Sequence, residues 1–394
     1  MNSTQIKILL GILGIFVLII GGLFFAYRYY VNNGGGNGQV TREGGGLFPD
    51  SGIFGGFGRE DEARDGQDGP VPTLRHITEK AVAGGVVFLS EETVAIRYVE
   101  RATGHVFETA LDSLEEKRLS NTTIPRIQEA VWSPDGESVI LRYLDENENL
   151  KSFYGAIEKE SGTLDGWFLD NRILNIASNE EGNIFYIQRV GNEGQGISSN
   201  FDGTNGRAVL SSSVYDWRAQ WAGDSVMLAS VSSNGIPGFL YELESGRLTA
   251  IIGGDGLSTL ASKDGSMVLF STSNTDGTTL FVYDRKSKKT TQVPFRTLAE
   301  KCAWATPTVV YCASPYAIDR NAVYPDDWYK GAVSFSDDIW LYDIGRKQEQ
   351  LVYDAEAEGK IFDATNLSID KDFRSLFFIN KKDMTPWVLL LERP

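Results

Sequence analysis

Short apolar runs, most of them four to eight residues long, recur along the chain and are broken by turn-forming clusters. The stretch Ala130–Arg142, AVWSPDGESVILR, sets the pattern. It predicts a strand ending at Val131-Trp132, a tight turn on Ser133-Pro134-Asp135-Gly136, and a second strand from Ser138 to Arg142. Pro134 presets φ, Asp135 can bond nearby backbone, and Gly136 supplies the positive φ that closes the turn. Aligning on the residue that opens each turn gives seven copies, at Ser90, Ser133, Ser178, Ala222, Ser262, Ala305 and Ser368. Their spacings are 43, 45, 44, 40, 43 and 63 residues. A period of about 40–45 residues with several short strands per unit is the signature of a β-propeller with one unit per blade.

Each unit also carries a second strand pair. FLYELESGRLTAI (239–251), LFVYDRKSKKTTQV (280–293) and IWLYDIGRKQEQLV (339–352) share an apolar run ending in Tyr-Glu or Tyr-Asp, a polar turn and another strand. A unit is therefore four antiparallel strands, a to d, and the fold class is an all-β, seven-bladed propeller. After the seventh landmark only Ser375–Asn380 and Trp387–Leu391 fit as strands. Ahead of the first inner strand, Val86–Leu89, one strand is left over, Leu74–Thr78. It is expected to complete the last blade as its outer strand, tying the chain ends together and removing exposed edges.

The Trp-Ser-Pro-Asp-Gly copy at 132–136, with Ser262-Lys263-Asp264-Gly265 close to it, resembles the TolB-like, or WD-repeat-like, propeller repeat of bacterial envelope proteins. The resemblance covers roughly residues 73–394. That family spans scaffolds, peptidase-associated domains and a few lyases, so the resemblance implies fold more firmly than activity.

Ahead of the propeller, residues 1–7 form a short tail. Ile8–Tyr27 is an uncharged, mostly apolar run of 20 residues, enough to span a bilayer core of about 30 Å. It is longer than a signal-peptide apolar region and no Ala-x-Ala site follows it. The reading is an uncleaved single-pass anchor, with Gly11, Gly14 and Gly21 offering a weak helix-pairing face for a homodimer. Residues 28–72 read as a linker, glycine-rich and then acidic, ending in Pro70-Val71-Pro72, with a Phe-rich island at 47–57. Its Asn32–Pro72 portion, as a coil, spans about 35 Å.

Net charge is −16, so phosphate backbones repel this surface and nucleic acid is excluded as a partner. The only cysteines are Cys302 and Cys312. They lie equidistant from the turn at Ala305–Thr308, on strands a and b of the sixth unit. Directly opposed strand residues are about 4.5–5.5 Å apart at Cα, which suits a disulfide; the alternative is two buried free thiols. A disulfide implies an extracytoplasmic propeller on a cell-membrane anchor.

Catalytic motifs are sparse. The two histidines, His76 and His105, form no metal-ligand spacing, and no Gly-x-Ser-x-Gly elbow or phosphate-binding loop occurs. No cofactor, metal or catalytic residue is assigned. Asp145-Glu146-Asn147-Glu148-Asn149 begins like a calcium loop but lacks Gly at position six and Glu at position twelve, so it reads as the b–c turn of the second blade. The remaining signal is the long interval of the sixth unit, where Ala313–Asp338 separates strands b and c. Loops beyond about 12–15 residues are usually functional or disordered, and this one is too aromatic for disorder. It should lean over one mouth of the ring. Tyr316, Arg320, Tyr324, Asp326, Asp327, Trp328, Tyr329, Asp337 and Asp338 are its candidate binding residues. Aromatic faces beside carboxylates suit a partner protein or a glycan of the envelope. Two rival readings are a plug that binds nothing and a carbohydrate lyase or hydrolase using the four acids.

Overall fold

The computed structural model describes residues 74–391 except 91–92, 112–114, 170–171 and 276. The anchor at 8–27, the linker and its Phe-rich island lie outside the described residues. Among the described residues no helix is long and apolar enough to cross a membrane.

Seven four-stranded antiparallel sheets follow one another as blades. Their innermost strands are Val82–Ser90, Ile127–Trp132, Ile173–Ser178, Trp217–Ala222, Ser258–Ala261, Cys302–Thr306 and Ala364–Ile369. The last blade is completed as the leftover strand required. Leu74–His76 pairs antiparallel with Thr385–Leu390, Leu74 facing Leu389 and His76 facing Trp387. The His76 ring stacks on the Trp387 indole at 4.3 Å.

The core is distributed. Each interface between neighbouring blades holds its own cluster of buried residues. Ile127, Val139 and Leu141 pack with Val99 and Val106 between blades 1 and 2. Phe377, Ile379 and Val388 pack with Ile96 and Tyr98 where blade 7 meets blade 1. Alternation along each strand sends side chains to both faces of a sheet, so every blade is sandwiched by two neighbours and the ring is held at seven seams.

The repeated a–b turn explains the period. In blade 2 the Ser133 hydroxyl donates to Asp135 at 2.5 Å and accepts the Ser138 N–H at 2.9 Å. Gly136 sits at φ +70°, where L-residues are strained. Blade 5 repeats this with Ser262, Asp264 and Met267. Two further copies keep the acceptor and change the residue. Asn179 takes the serine's place in blade 3, accepting Asn183 N–H at 2.8 Å. Asp370 takes it in blade 7, accepting Arg374 and Ser375 N–H at 2.8 and 2.6 Å. The landmarks Ser178 and Ser368 therefore fall one and two residues early. Any short side-chain acceptor closes this turn, so serine is only one spelling of it.

The sequence Asp145–Asn149 is the b–c turn of blade 2, with the Asp145 carboxylate accepting the backbone N–H groups of Asn147 and Asn149.

Candidate functional site

Blade 6 departs from the repeat. Its strands b and c, Val309–Pro315 and Asp337–Asp343, run further than their apolar cores suggest, with Ser314 opposite Asp338 and Pro315 opposite Asp337. Asp337 and Asp338 are thus the first residues of strand c rather than loop residues. The extension is stabilised from outside the blade: Asp337 N–H donates to Phe362 O at 3.0 Å, and the Asp338 carboxylate accepts Ala355 N–H at 2.9 Å. Cys302 and Cys312 face each other in the a–b pair, Cα atoms 4.0 Å apart, and are disulfide-bonded.

Between the strands, residues 316–336 fold back over the ring as expected, on the face that carries the b–c and d–a connections. The contacts reach several blades. In blade 4, Asn234 donates its backbone N–H to Asp326 at 2.7 Å and its side-chain amide to Tyr324 O at 3.0 Å. A side chain on Gly256, at φ +57°, would meet Pro325 Cδ at 2.7 Å. In blade 7, Lys381 Nζ donates to Trp328 O at 2.6 Å and lies 4.6 Å from the centre of the Trp328 ring.

The inner half of the insert is a small core of its own. Tyr324, Trp328 and Phe335 are buried with Leu298, and a single turn of helix, Asp326–Tyr329, turns Trp328 inward. Asp327 closes that turn by accepting Val323 N–H at 2.8 Å. Beneath it lies an ion cluster with no solvent exposure. Lys301 Nζ donates to Asp337 at 2.8 Å, to Asp363, and to Ala364 O at 2.9 Å. Asp363 also accepts Trp328 Nε1–H at 2.8 Å and Phe335 N–H at 3.0 Å. Two carboxylates share one ammonium, so one carboxylate is under-compensated. Burial pushes Asp337 up to about 6, Lys301 opposing and Asp363 adding to the rise. At the rim, the Tyr329 hydroxyl donates to Glu300 and accepts Arg218 Nη1 at 2.9 Å. Burial and the Glu300 charge raise its pKa.

The outer half faces a cleft of about 990 Å³, within the range of small-ligand sites. Tyr316, Arg320, Tyr324 and Asp338 line it, with Phe295, Arg296 and Trp340 from the frame of blades 5 and 6. Tyr316 is 39% exposed, whereas Trp328 is 3% exposed. The nine candidate residues therefore divide. Four border the cleft; Asp326, Trp328, Tyr329 and Asp337 hold the insert down and Asp327 closes its helical turn, so the Trp328 ring is not an open stacking surface. The partners that make this so, Lys301, Asp363, Glu300, Arg218, Asn234 and Lys381, carry no motif. The one available signal is a charged residue immediately before an innermost strand, as at Lys301-Cys302 and Asp363-Ala364. Among the described residues no cluster of three or more His, Cys, Asp or Glu could hold a metal ion.

No family model matches the chain, and no curated protein sequence matches it. Solved structures do. An oligogalacturonate lyase in complex with manganese is 9% identical, with a TM-score of 0.50 over 80% of this chain and 98% of that one. The β-propeller domain of the Trilobed protease from Pyrococcus furiosus is 11% identical, with a TM-score of 0.50 over 78% and 96%. TolB from Acinetobacter baumannii is 11% identical, with a TM-score of 0.42 over 66% and 63%, an overlap too loose to carry an argument. At these identities the likeness establishes the fold alone: a seven-bladed β-propeller with four-stranded antiparallel blades.

Proposed function

We propose that this chain is a membrane-tethered, extracytoplasmic binding module that presents the blade 6 cleft to another component of the cell envelope, protein or glycan. The apolar run Ile8–Tyr27 supports the tether, and the Cys302–Cys312 disulfide supports an oxidising compartment. The observation that carries binding over catalysis is the use made of the insert's acids. Asp326, Asp327, Asp337 and Asp338 each accept a backbone N–H from Asn234, Val323, Ala364 and Ala355 respectively. Groups committed to positioning the backbone are poor proton carriers. The cleft itself offers an exposed tyrosine and two arginines, Arg296 and Arg320, a surface suited to recognition.

One observation favours the rival, a carbohydrate lyase or hydrolase. Asp338, its pKa raised by burial, borders the same cleft as Asp319 and Glu349. Both readings are tested with one pair of variants. Immobilised protein should retain an envelope component that Tyr316→Ala/Arg320→Ala releases, with no new reducing ends appearing in glycan incubations. Glycan cleavage that Asp338→Asn abolishes would replace the binding reading with the enzymatic one.

A further inference from the structure

Three innermost strands carry a tryptophan near the a–b mouth, and two of these indoles behave alike. Trp221 of blade 4 donates its Nε1–H to Ala177 O of blade 3 at 3.1 Å. Trp304 of blade 6 donates to Leu260 O of blade 5 at 3.2 Å. Each thereby bonds the innermost strand of the preceding blade. Trp132, in the Trp-Ser-Pro-Asp-Gly copy, does not. It is 8% exposed and its Nε1 is buried without a partner. No carbonyl of the innermost strand of blade 1 accepts it. A buried donor left unpaired is rare and calls for an acceptor.

Trp132 lines a cavity of about 620 Å³ on the mouth opposite the insert, and a second orphan lines it too. Ser368 Oγ of blade 7 is buried with no hydrogen-bond partner. Beside it on the same rim, Lys371 makes no ion pair among the described residues. Blades 7, 1 and 2 are contiguous in the ring, so three donors occupy one sector whose lining includes no carboxylate. The acids of the lining, Glu180, Glu181 and Asp224, stand on blades 3 and 4. Glu180 is paired with Lys263 at 2.6 Å. The mouth is therefore polarised, donors on one side and acceptors on the other.

From this polarity we infer that the open mouth is a second binding site, distinct from the insert cleft, which takes the free C-terminal carboxylate of a peptide chain. Trp132 Nε1 and Ser368 Oγ donate to the carboxylate oxygens and Lys371 supplies the countercharge, since hydrogen bonds to an ionised acceptor are the strong ones. The opposite rim accepts N–H donors of the incoming chain through Asp224. A polyuronate also carries carboxylates, but it carries one on every residue. The overall charge of −16 and the acids of blades 3 and 4 would repel all but the first.

The test follows the indole N–H signals of the nitrogen-15-labelled full chain, with Trp132 assigned by its loss in Trp132→Phe. N-acetyl-alanyl-alanine should shift the Trp132 signal saturably. The carboxamide of the same peptide should bind about tenfold more weakly, the loss of one charge-assisted contact. Lys371→Gln, on an exposed turn, should weaken the free acid by about the same factor. It also keeps the test decisive if Trp132→Phe fails to fold. Tyr316→Ala/Arg320→Ala should leave this titration unchanged, which separates it from the fate of the insert reading. Equal binding of acid and amide, or an unmoved Trp132 signal, overturns the proposal. Tighter binding of glucuronate than of the peptide acid overturns the peptide assignment.

Discussion

The repeat turns and the insert of this ring use aspartate in opposite ways. On the open mouth, Asp135 and Asp264 serve turns whose partners lie two to five residues away. The ties that fasten the insert on the covered mouth are remote. Asp337 meets Lys301 across 36 residues, Asp363 meets the same lysine across 62, and Asp326 meets Asn234 across 92. The first kind shapes a turn wherever it occurs. The second exists only once the ring has closed, because its members come from blades 4, 6 and 7. Local carboxylates set the repeat, and remote ones fasten the single element that breaks it.

The largest expected effect is at the remote cluster. Asp363→Ala leaves Lys301 with one carboxylate and strips Trp328 Nε1 and Phe335 N–H of their acceptor. Lys301 keeps a compensating charge in Asp337, so the cost comes from the two stripped donors, about 1–3 kcal/mol each, to be read from the denaturant midpoint at constant m. Asp135→Ala on the open mouth should cost about 1 kcal/mol, as the loss of a capping acceptor does. Equal losses at the two positions would break the distinction between turn and insert.

This contrast also marks what was legible in the chain. Ser133–Gly136 announces its turn because every participant is adjacent, and the spacing of such turns yields seven blades. The closing strand was legible by counting, since a four-stranded blade lacking one strand must take it from Leu74–His76. The Cys302–Cys312 pair was legible because equal distance from a turn places residues opposite one another. Trp328 was not. Its aromatic, acidic surroundings read equally well as an open surface or a packed plug. What decides between them is Asp363 and Lys381, 35 and 53 residues away. The exact placement of Asp337 and Asp338 escaped for the same reason: their strand is extended by Phe362 and Ala355, on the connection to the next blade.

Acidification should drive the turns and the insert apart. Burial raises Asp337 to about 6 in the folded protein, above its unfolded value. It thus contributes stability that is present below about pH 4 and lost as pH rises through 6. Asp135 and Asp264 run the other way. Burial pulls them up, but the Ser133 and Ser262 hydroxyls and nearby N–H groups outweigh it and hold both below the usual carboxylate range. Their contribution is present above about pH 4 and lost as pH falls below it. Asp337→Asn should remove a component on the order of 1–3 kcal/mol between pH 4 and 6. It should leave the loss at lower pH intact, and stability measured against pH in both backgrounds separates the two.

The smallest effect is the most discriminating, because it concerns coupling rather than size. Asp135 lies in blade 2 and Asp264 in blade 5, each bonded only within its own turn. Their alanine costs should therefore add to within about 0.5 kcal/mol in the double variant, as they do for sites without shared partners. Asp363 and Trp328 share a hydrogen bond and the same buried lysine environment. Once Asp363→Ala has freed the insert, Trp328→Ala has less packing left to lose, so the double variant should fall short of the sum by more than 1 kcal/mol. Denaturant melts of the two cycles measure this directly. Additivity at Asp363 and Trp328 would show that the insert stays docked without its ion cluster, and that aromatic burial alone holds the covered mouth shut.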